Sequence, residues 1–177
     1  MKLRTKKLVA AAVIGALYAV LTMVIPASYP PIDFRVSEIM CILPFFFPEA
    51  ALGLTVGCVI SNLMSAAGLP DVIFGSVATL LAGLCTAAVG IRARKKEKIG
   101  WGDCIAACAM PVLFNAPIVG AVLAYFYSES EFWKAYWGYF VYIALSEAGV
   151  LFVLGLPVMR YIMKNETLKR LLIELNS

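Results

Sequence analysis

The stretch IDFRVSE, residues 32–38, places three charged side chains at the start of a segment that is otherwise apolar enough to enter a membrane. These side chains are Asp33, Arg35 and Glu38. An ionisable group at the edge of a bilayer core is costly unless it faces water, a partner or a ligand. Arg35 and Glu38 are also about one helical turn apart, so they can meet on one face of a helix. The stretch therefore predicts either a local salt bridge that helps to start a helix or one wall of a binding site.

The composition of the whole chain indicates the solvent in which it folds. Of its 177 residues, 62% are hydrophobic and the mean hydropathy is +0.88, which is far above the roughly half-apolar usage of soluble domains. The length suits one domain, and no polar linker divides it. We therefore predict an all-α integral membrane protein with a single transmembrane domain over residues 1–177.

The cysteines do not indicate a disulfide framework or a metal site. All five lie within apolar runs, where a thiol behaves as a small hydrophobe. The chain has no histidine and no Cys-x-x-Cys pair, which gives a metal site little support. We predict neither a metal nor a cofactor.

Six apolar segments are predicted to be membrane helices. Their approximate bounds are 8–25, 36–47, 48–67, 72–91, 103–127 and 136–163, and a short amphipathic tail follows them. At 1.5 Å per residue the second segment is too short to cross a core about 30 Å thick, so it must borrow flanking residues, tilt or be shielded by neighbours. Asp71 precedes the fourth segment and is a candidate N-cap.

Small residues recur at every fourth position of the first and third predicted helices. Such stripes let helix backbones approach closely within lipid. Packing inside the chain and docking of a second protein both use this pattern. The positions on the first helix are Ala11, Gly15 and Ala19, with Ala12 and Ala16 beside them, and those on the third are Gly53, Gly57, Ser61 and Ser65.

Basic residues cluster at alternate ends of the predicted helices. Four precede the first helix, five follow the fourth and four lie at or beyond the end of the sixth, which makes thirteen of the fifteen Lys and Arg residues. Six spans place all thirteen on one side of the membrane, whereas five spans would scatter them to both. The positive-inside tendency makes that side the cytoplasm, so both termini are predicted to be cytoplasmic.

Polar side chains then fall in the outer half of the bundle, as a ligand cavity open to the outside requires. Asn62, Asn115 and Glu147 reach toward the middle, and Tyr136 and Phe140 lie on the same helix face as Glu147. The inner halves lack the polar lining of a channel. The alternatives are interhelical hydrogen bonds for the two asparagines, a protonated or bonded carboxyl for Glu147, and an interfacial aromatic belt for the rings.

The outer ends of the helices carry more acids than bases. Only Arg35 and Lys134 are basic there, against acids that include Asp33, Asp71, Glu129 and Glu131. An electronegative mouth raises the local concentration of positively charged solutes. We therefore expect the ligand to be a cation.

Four stretches resemble the QueT family, the substrate-binding S components of energy-coupling factor transporters. The resemblance runs over essentially the whole chain. It is carried by IDFRVSE at 32–38, Ser61-Asn62, DVIFGS at 71–76 and ALSE at 144–147. The first and third of these stretches are its more specific marks.

The resemblance implies an S-component-like bundle of six helices in a bacterial cell membrane. It implies uptake of a queuosine precursor, a 7-deazaguanine such as the aminomethyl form or queuine, with a membrane coupling subunit and two ATPase subunits as partners. We expect substrate contacts from the outer-half polar and aromatic residues, and partner contacts from the small stripes. The first set is Arg35, Glu38, Asn62, Asp71, Asn115, Tyr136, Phe140 and Glu147; the second is Ala12, Ala16, Gly53 and Gly57.

Competing functions are less well supported by the residues. The chain has no Walker A sequence, so it does not hydrolyse ATP in the P-loop manner and needs partners for energy. An intramembrane enzyme is disfavoured because histidine and the Gly-x-Ser-x-Gly turn are absent. Nothing indicates nucleic-acid binding. An S component for another vitamin or small flat cationic solute is the near alternative, since fold does not decide substrate.

Overall fold

The computed structural model describes residues 2–25, 35–65, 67–96, 99–128 and 131–174. Within these ranges the regular structure is entirely helical, with no strand. We number the helices α1 (Lys2–Val24), α2 (Val36–Phe46), α3 (Ala50–Asn62), α4 (Asp71–Ala93), α5 (Trp101–Tyr127), α6 (Phe132–Lys164) and α7 (Glu166–Glu174). The predicted all-α membrane architecture is confirmed.

Four of these helices are long and apolar enough to cross a membrane. They are α1, α4, α5 and α6, by length and composition. α2 and α3 are apolar but shorter, and α2 consists of a seven-residue 3₁₀ segment (Val36–Ile42) followed by a four-residue α segment (Leu43–Phe46). A six-span count therefore stays a prediction, because two of the six apolar helices are shorter than a bilayer core is thick.

The boundary between α3 and α4 differs from the sequence prediction. α3 ends at Asn62, not near Ala67, and Gly68 takes a positive φ of 66° in the turn that follows. Asp71 does not cap α4 with its side chain. Its carboxylate is 98% buried and lies 3.8 Å from the Arg35 guanidinium, so it forms a buried ion pair and not a helix cap.

Helices α1 and α3 pack backbone against backbone. A Cβ added at Gly53 would overlap the carbonyl oxygen of Ala11, and one at Gly15 would overlap that of Gly53. Gly57 meets the Gly15 carbonyl in the same way. The structure thus places Gly53 and Gly57 inside the chain and not on a partner-facing surface, because α1 covers them.

The other predicted stripe on α1 has a different environment. Ala12 and Ala16 are exposed on the face of α1 that points away from α3. Large apolar side chains flank them, among them Val13 and Leu17, each 52% exposed. A partner interface on this face stays a prediction.

The basic residues gather at one end of the bundle. Lys7 near the start of α1 lies 3.3 Å from the carboxylate of Glu49, between α2 and α3. Arg94 after α4 donates to the carbonyl oxygen of Phe45 at 2.6 Å, and Arg160 in α6 lies over the Trp101 ring at 4.3 Å. The start of α1 and the ends of α2, α4 and α6 therefore share what we call the basic end.

An apolar core fills the half of the bundle next to the basic end. Ten buried side chains from α2, α4, α5 and α6 form it: Ile42, Phe45, Phe46, Ala93, Cys104, Ala107, Cys108, Leu151, Met159 and Ile162. The one buried polar side chain that is seen to hydrogen-bond to a residue of this cluster within the described part of the chain is Thr86, whose hydroxyl donates to the Ala107 carbonyl oxygen. The polar interior therefore lies in the opposite half, where α2 and α4 begin.

Candidate binding site

A cavity of about 420 Å³, including its opening, lies between α2, α4, α5 and α6. Six of its nine lining residues have polar side chains, which is unusual for the interior of a membrane domain. The lining residues are Arg35, Glu38, Gly75, Thr79, Asn115, Val119, Ile143, Ser146 and Glu147. The apolar core lies between this cavity and the basic end.

The guanidinium of Arg35 is held by two other predicted site residues that lie outside the cavity lining. Arg35 Nη1 donates to Asn62 Oδ1 at 3.2 Å, and its Nη2 lies 3.8 Å from Asp71 Oδ2. Asn62 in turn donates from Nδ2 to the carbonyl oxygen of Asp71 at 3.0 Å. A Cβ at Gly75 would come within 2.6 Å of Asn62 Nδ2, so only glycine leaves room for this arrangement. Asn62 and Asp71 hold the guanidinium, and neither is part of the cavity lining.

The first carboxylate of the cavity, that of Glu38, is 95% buried in the 3₁₀ segment of α2. Tyr18 of α1 donates to its Oε1 at 2.6 Å, and the Cys41 thiol donates to its Oε2 at 3.0 Å. Hydrogen bonds to a charged acceptor are stronger than those between neutral groups. Two donors thus fix the position of this carboxylate.

The second carboxylate, that of Glu147, is 94% buried in α6 and pairs with α5. Asn115 Nδ2 donates to Glu147 Oε1 at 2.6 Å. Because Nδ2 points to Glu147, the amide oxygen of Asn115 points away from it. Within the described part of the chain, that oxygen accepts no hydrogen bond. Asn115 is itself 92% buried, so its oxygen is an acceptor in the cavity wall without a protein donor.

Two short π-helical segments adjoin the cavity. One, Asp71–Gly75, opens α4 and includes the lining residue Gly75; the other, Gly149–Gly155, follows Glu147 in α6. A π segment widens a helix locally and is often found at functional sites. Gly75 places the first segment in the cavity wall, whereas the second lies beside the apolar core, with Gly155 next to Ile42.

Comparison with known proteins identifies the family of this chain. A sequence profile described as "QueT transporter" matches residues 8–164, which is most of the chain. The chain belongs to the QueT transporter family. This confirms the family resemblance read from the sequence, and membership of a transporter family agrees with the prediction that the protein is not an enzyme.

A curated relative of this QueT-family chain is the queuosine precursor transporter QueT of Lactococcus lactis subsp. cremoris (strain MG1363). The two are 41% identical over 83 residues, which cover 45% of this chain and 48% of the relative. The match therefore spans about half the length of that relative. No solved structure matches the chain.

Two aromatic residues predicted for the QueT-family site lie outside the cavity lining. Phe140 packs against α5 at Gly120 and joins a cluster with Val119 and Ile143, which line the cavity. The Tyr136 ring lies 6.1 Å from the Phe140 ring, one turn farther from Glu147. The structure places Phe140 behind the apolar wall; direct stacking of either ring on a ligand stays a prediction.

Sequence reasoning missed several residues of the site. Gly75 and Ser146 lie inside the quoted stretches DVIFGS and ALSE, so their neighbours gave a signal. Thr79 follows Gly75 by one helical turn and could have been found by extending that face. Tyr18 gave no such signal, because its role depends on how α1 packs against α2.

Part of the predicted outer mouth lies outside the described residues. Asp33 and Glu129 belong to this part, and the electronegative mouth stays a prediction. Glu131 is paired with Lys134 at 2.9 Å, and both are exposed. No group of three His, Cys, Asp or Glu side chains within the described residues could hold a metal ion.

Proposed function

We propose that this chain is the substrate-binding S component of an energy-coupling factor transporter, and that it binds a queuosine precursor from outside the cell. The observation that carries the proposal is the cavity itself. It is enclosed by four helices, lined by two buried carboxylates and one fixed guanidinium, and separated from the basic end by apolar side chains. Family membership and the name of the curated relative support the substrate class.

The hydrogen-bonding groups of the cavity complement a 7-deazaguanine. The ring edge with N1–H and the exocyclic amino group donates two parallel hydrogen bonds, which a carboxylate such as Glu147 accepts. The O6 acceptor suits the Arg35 guanidinium. The Asn115 oxygen accepts a further ring N–H, since it has no donor among the described residues. The apolar side chains of Val119 and Ile143 suit the flat face of the ring.

The charges favour the form that carries an aminomethyl group. Three buried carboxylates, those of Glu38, Asp71 and Glu147, surround the single guanidinium of Arg35. Asp71 contacts Arg35 from outside the cavity, and the other two carboxylates belong to the cavity lining. An ammonium on the ligand would add a second positive charge beside these acids, which favours its burial.

The topology that fits this role has six crossings with both termini in the cytoplasm. The contacts that gather the basic residues at one end of the bundle support it, by the positive-inside tendency. α2 and α3 would each cross with the help of flanking residues and neighbouring helices. The cavity would then open toward the outside of a bacterial cell membrane.

Transport would require partners. The chain lacks a P-loop, so a membrane coupling subunit and two ATPase subunits would supply energy. The exposed stripe of Ala12 and Ala16 on α1 is the surface that we assign to the coupling subunit, since small residues permit close helix approach in lipid. Gly53 and Gly57 are not part of this proposal.

The test is a ligand titration of the purified protein in detergent or nanodiscs. The panel contains 7-aminomethyl-7-deazaguanine, queuine, the neutral 7-cyano analogue, guanine and common vitamins. We expect saturable binding of the aminomethyl compound and queuine, and weaker binding of the cyano compound and guanine. Binding of a vitamin in preference to every deazaguanine would replace the substrate class and keep the S-component role.

A further inference from the structure

We propose that Tyr18 is a positioning residue of the binding site, because its hydroxyl holds the Glu38 carboxylate in its ligand-binding orientation. The inference rests on the proposed function of the cavity. Tyr18 is not among the lining residues, and it belongs to α1, which contributes no side chain to the lining. The exposed face of α1 is the surface that we assign to contact with the coupling subunit. Through Tyr18, the same helix would also influence the affinity for the ligand.

The contact between Tyr18 and Glu38 is short and fully buried. The hydroxyl donates to Glu38 Oε1 at 2.6 Å, and the tyrosine side chain is 0% exposed. A buried phenol normally has a hydrogen-bond partner, and here the partner is charged. The ring packs in a small cluster with Cys41, Leu54 and Cys58. These residues pack around the ring, and Glu38 is the hydrogen-bond partner of the hydroxyl.

A second contact one turn along α1 keeps the two helices in register. The Thr22 hydroxyl lies 2.7 Å from that of Ser37, the residue before Glu38, and it donates to the Tyr18 carbonyl oxygen at 2.8 Å. Both Thr22 and Ser37 are 0% exposed. α1 is thus fixed against the first turn of α2 at two successive residues, Ser37 and Glu38.

The hydrogen bonds to Glu38 indicate that Tyr18 orients the carboxylate and does not only fill space. Both oxygens of Glu38 receive a donor from the protein side, one from Tyr18 and one from Cys41. The remaining lone pairs and the negative charge are available to the cavity. Without the Tyr18 hydroxyl, the weak thiol donor alone would hold the carboxylate, and its charge would be less well placed for a ligand ammonium.

The experiment measures affinity in Tyr18→Phe, which keeps the ring and removes the oxygen. We expect the affinity for 7-aminomethyl-7-deazaguanine to fall about tenfold, as for a lost hydrogen bond to a charged group, and the affinity for the neutral 7-cyano analogue to fall less than about twofold. Tyr161→Phe, at an exposed tyrosine near the basic end, is the matched control and should leave both affinities unchanged. Equal losses for the two ligands, or no loss, would overturn the proposal.

A double-mutant cycle completes the test. If Tyr18 acts through Glu38, the affinity of Tyr18→Phe/Glu38→Gln should equal that of Glu38→Gln alone, and additive losses would overturn the proposal. If Tyr18→Phe does not fold, adding Glu38→Gln should restore folding, because the second substitution removes the buried charge that lost its donor. Failure of the double variant to fold would show that Tyr18 acts only on the packing of the fold, and would overturn the proposal. Wild-type protein that binds no deazaguanine would instead refute the proposed function.

Discussion

Asn115 and Glu147 are the residue pair whose chemistry is easiest to test. Glu147→Gln keeps the size of the side chain and an oxygen for Asn115, but it removes the charge and one acceptor for the ligand's donor edge. Loss of a charge-assisted hydrogen bond costs about 1.5–3 kcal/mol, so we expect affinity to fall roughly tenfold or more, with little change in melting temperature. Titration of the purified variant measures this. Glu131→Gln, at an exposed site, is the control, and an unaltered affinity in Glu147→Gln would remove this residue from the ligand contacts.

Glu38 should behave differently from Glu147. Since we assign its charge to the ligand's ammonium, Glu38→Gln should weaken binding of the aminomethyl compound about tenfold and binding of the neutral cyano analogue much less. Competition titrations with both ligands measure the ratio. Equal losses would place Glu38 at the ring edge or in a purely structural pair.

The structure brings the predicted polar residues together but gives them different neighbours. Arg35, Glu38, Asn115 and Glu147 line the cavity because an ionisable or amide group inside a membrane domain is costly without a task. Asn62 and Asp71 were grouped with them, yet they contact the back of Arg35. Periodicity could not separate the two roles, since both kinds of residue face the interior.

At the level of helices, the contact between α1 and α3 makes a sharp prediction. Gly53→Leu should destabilise the protein by at least about 1–3 kcal/mol, because a side chain there meets the Ala11 backbone, which cannot move aside as a side chain can. A lower melting temperature and loss of ligand binding would be measured together. Leu52→Ala, at a neighbouring position that is 57% exposed, is the control. A Gly53→Leu variant as stable as wild type would show that the two backbones do not approach this closely.

Ala16 lies on α1, the helix that covers Gly53, but it is exposed, so Ala16→Leu should have the opposite outcome. Because Ala16 is exposed, the leucine should leave folding and ligand affinity unchanged. It should hold the coupling subunit away from α1, so that the variant fails to co-purify with the module and uptake in cells is lost. Val13→Ala, on the same exposed face, is the control that reports how sensitive uptake is to any substitution there. Normal uptake by Ala16→Leu would exclude this part of α1 from the interface.

The small-residue stripes of α1 and α3 show what a sequence pattern cannot reveal about helix packing. Small residues at every fourth position correctly predicted close helix packing, but the pattern is the same for Ala12 and Ala16 as for Gly53 and Gly57. Only the three-dimensional arrangement shows that α1 covers the glycines and leaves the alanines exposed. The predicted N-cap role of Asp71 was wrong for a related reason, because its carboxylate pairs with Arg35 across the bundle.

For the whole molecule, the orientation in the membrane is the main prediction. Lys96→Cys lies at the basic end and Lys134→Cys at the start of α6, at positions that are 58% and 83% exposed. A membrane-impermeant maleimide should label Lys134→Cys in intact cells and Lys96→Cys only after permeabilisation. The parent chain, whose native cysteines are buried or half-buried, is the control. Labelling of both positions in intact cells would refute the six-span topology.

The shortness of α3 has a consequence for the surrounding lipid. Thirteen residues at 1.5 Å each give a helix of about 20 Å, whereas the hydrocarbon core is about 30 Å thick. If α3 crosses the membrane, as we propose, the lipid beside it must thin or polar headgroups must be drawn inward, and each ångström of mismatch costs a fraction of a kcal/mol. A partner that covered this side would relieve the deformation, so the bilayer itself would favour assembly, and more strongly in membranes with longer acyl chains.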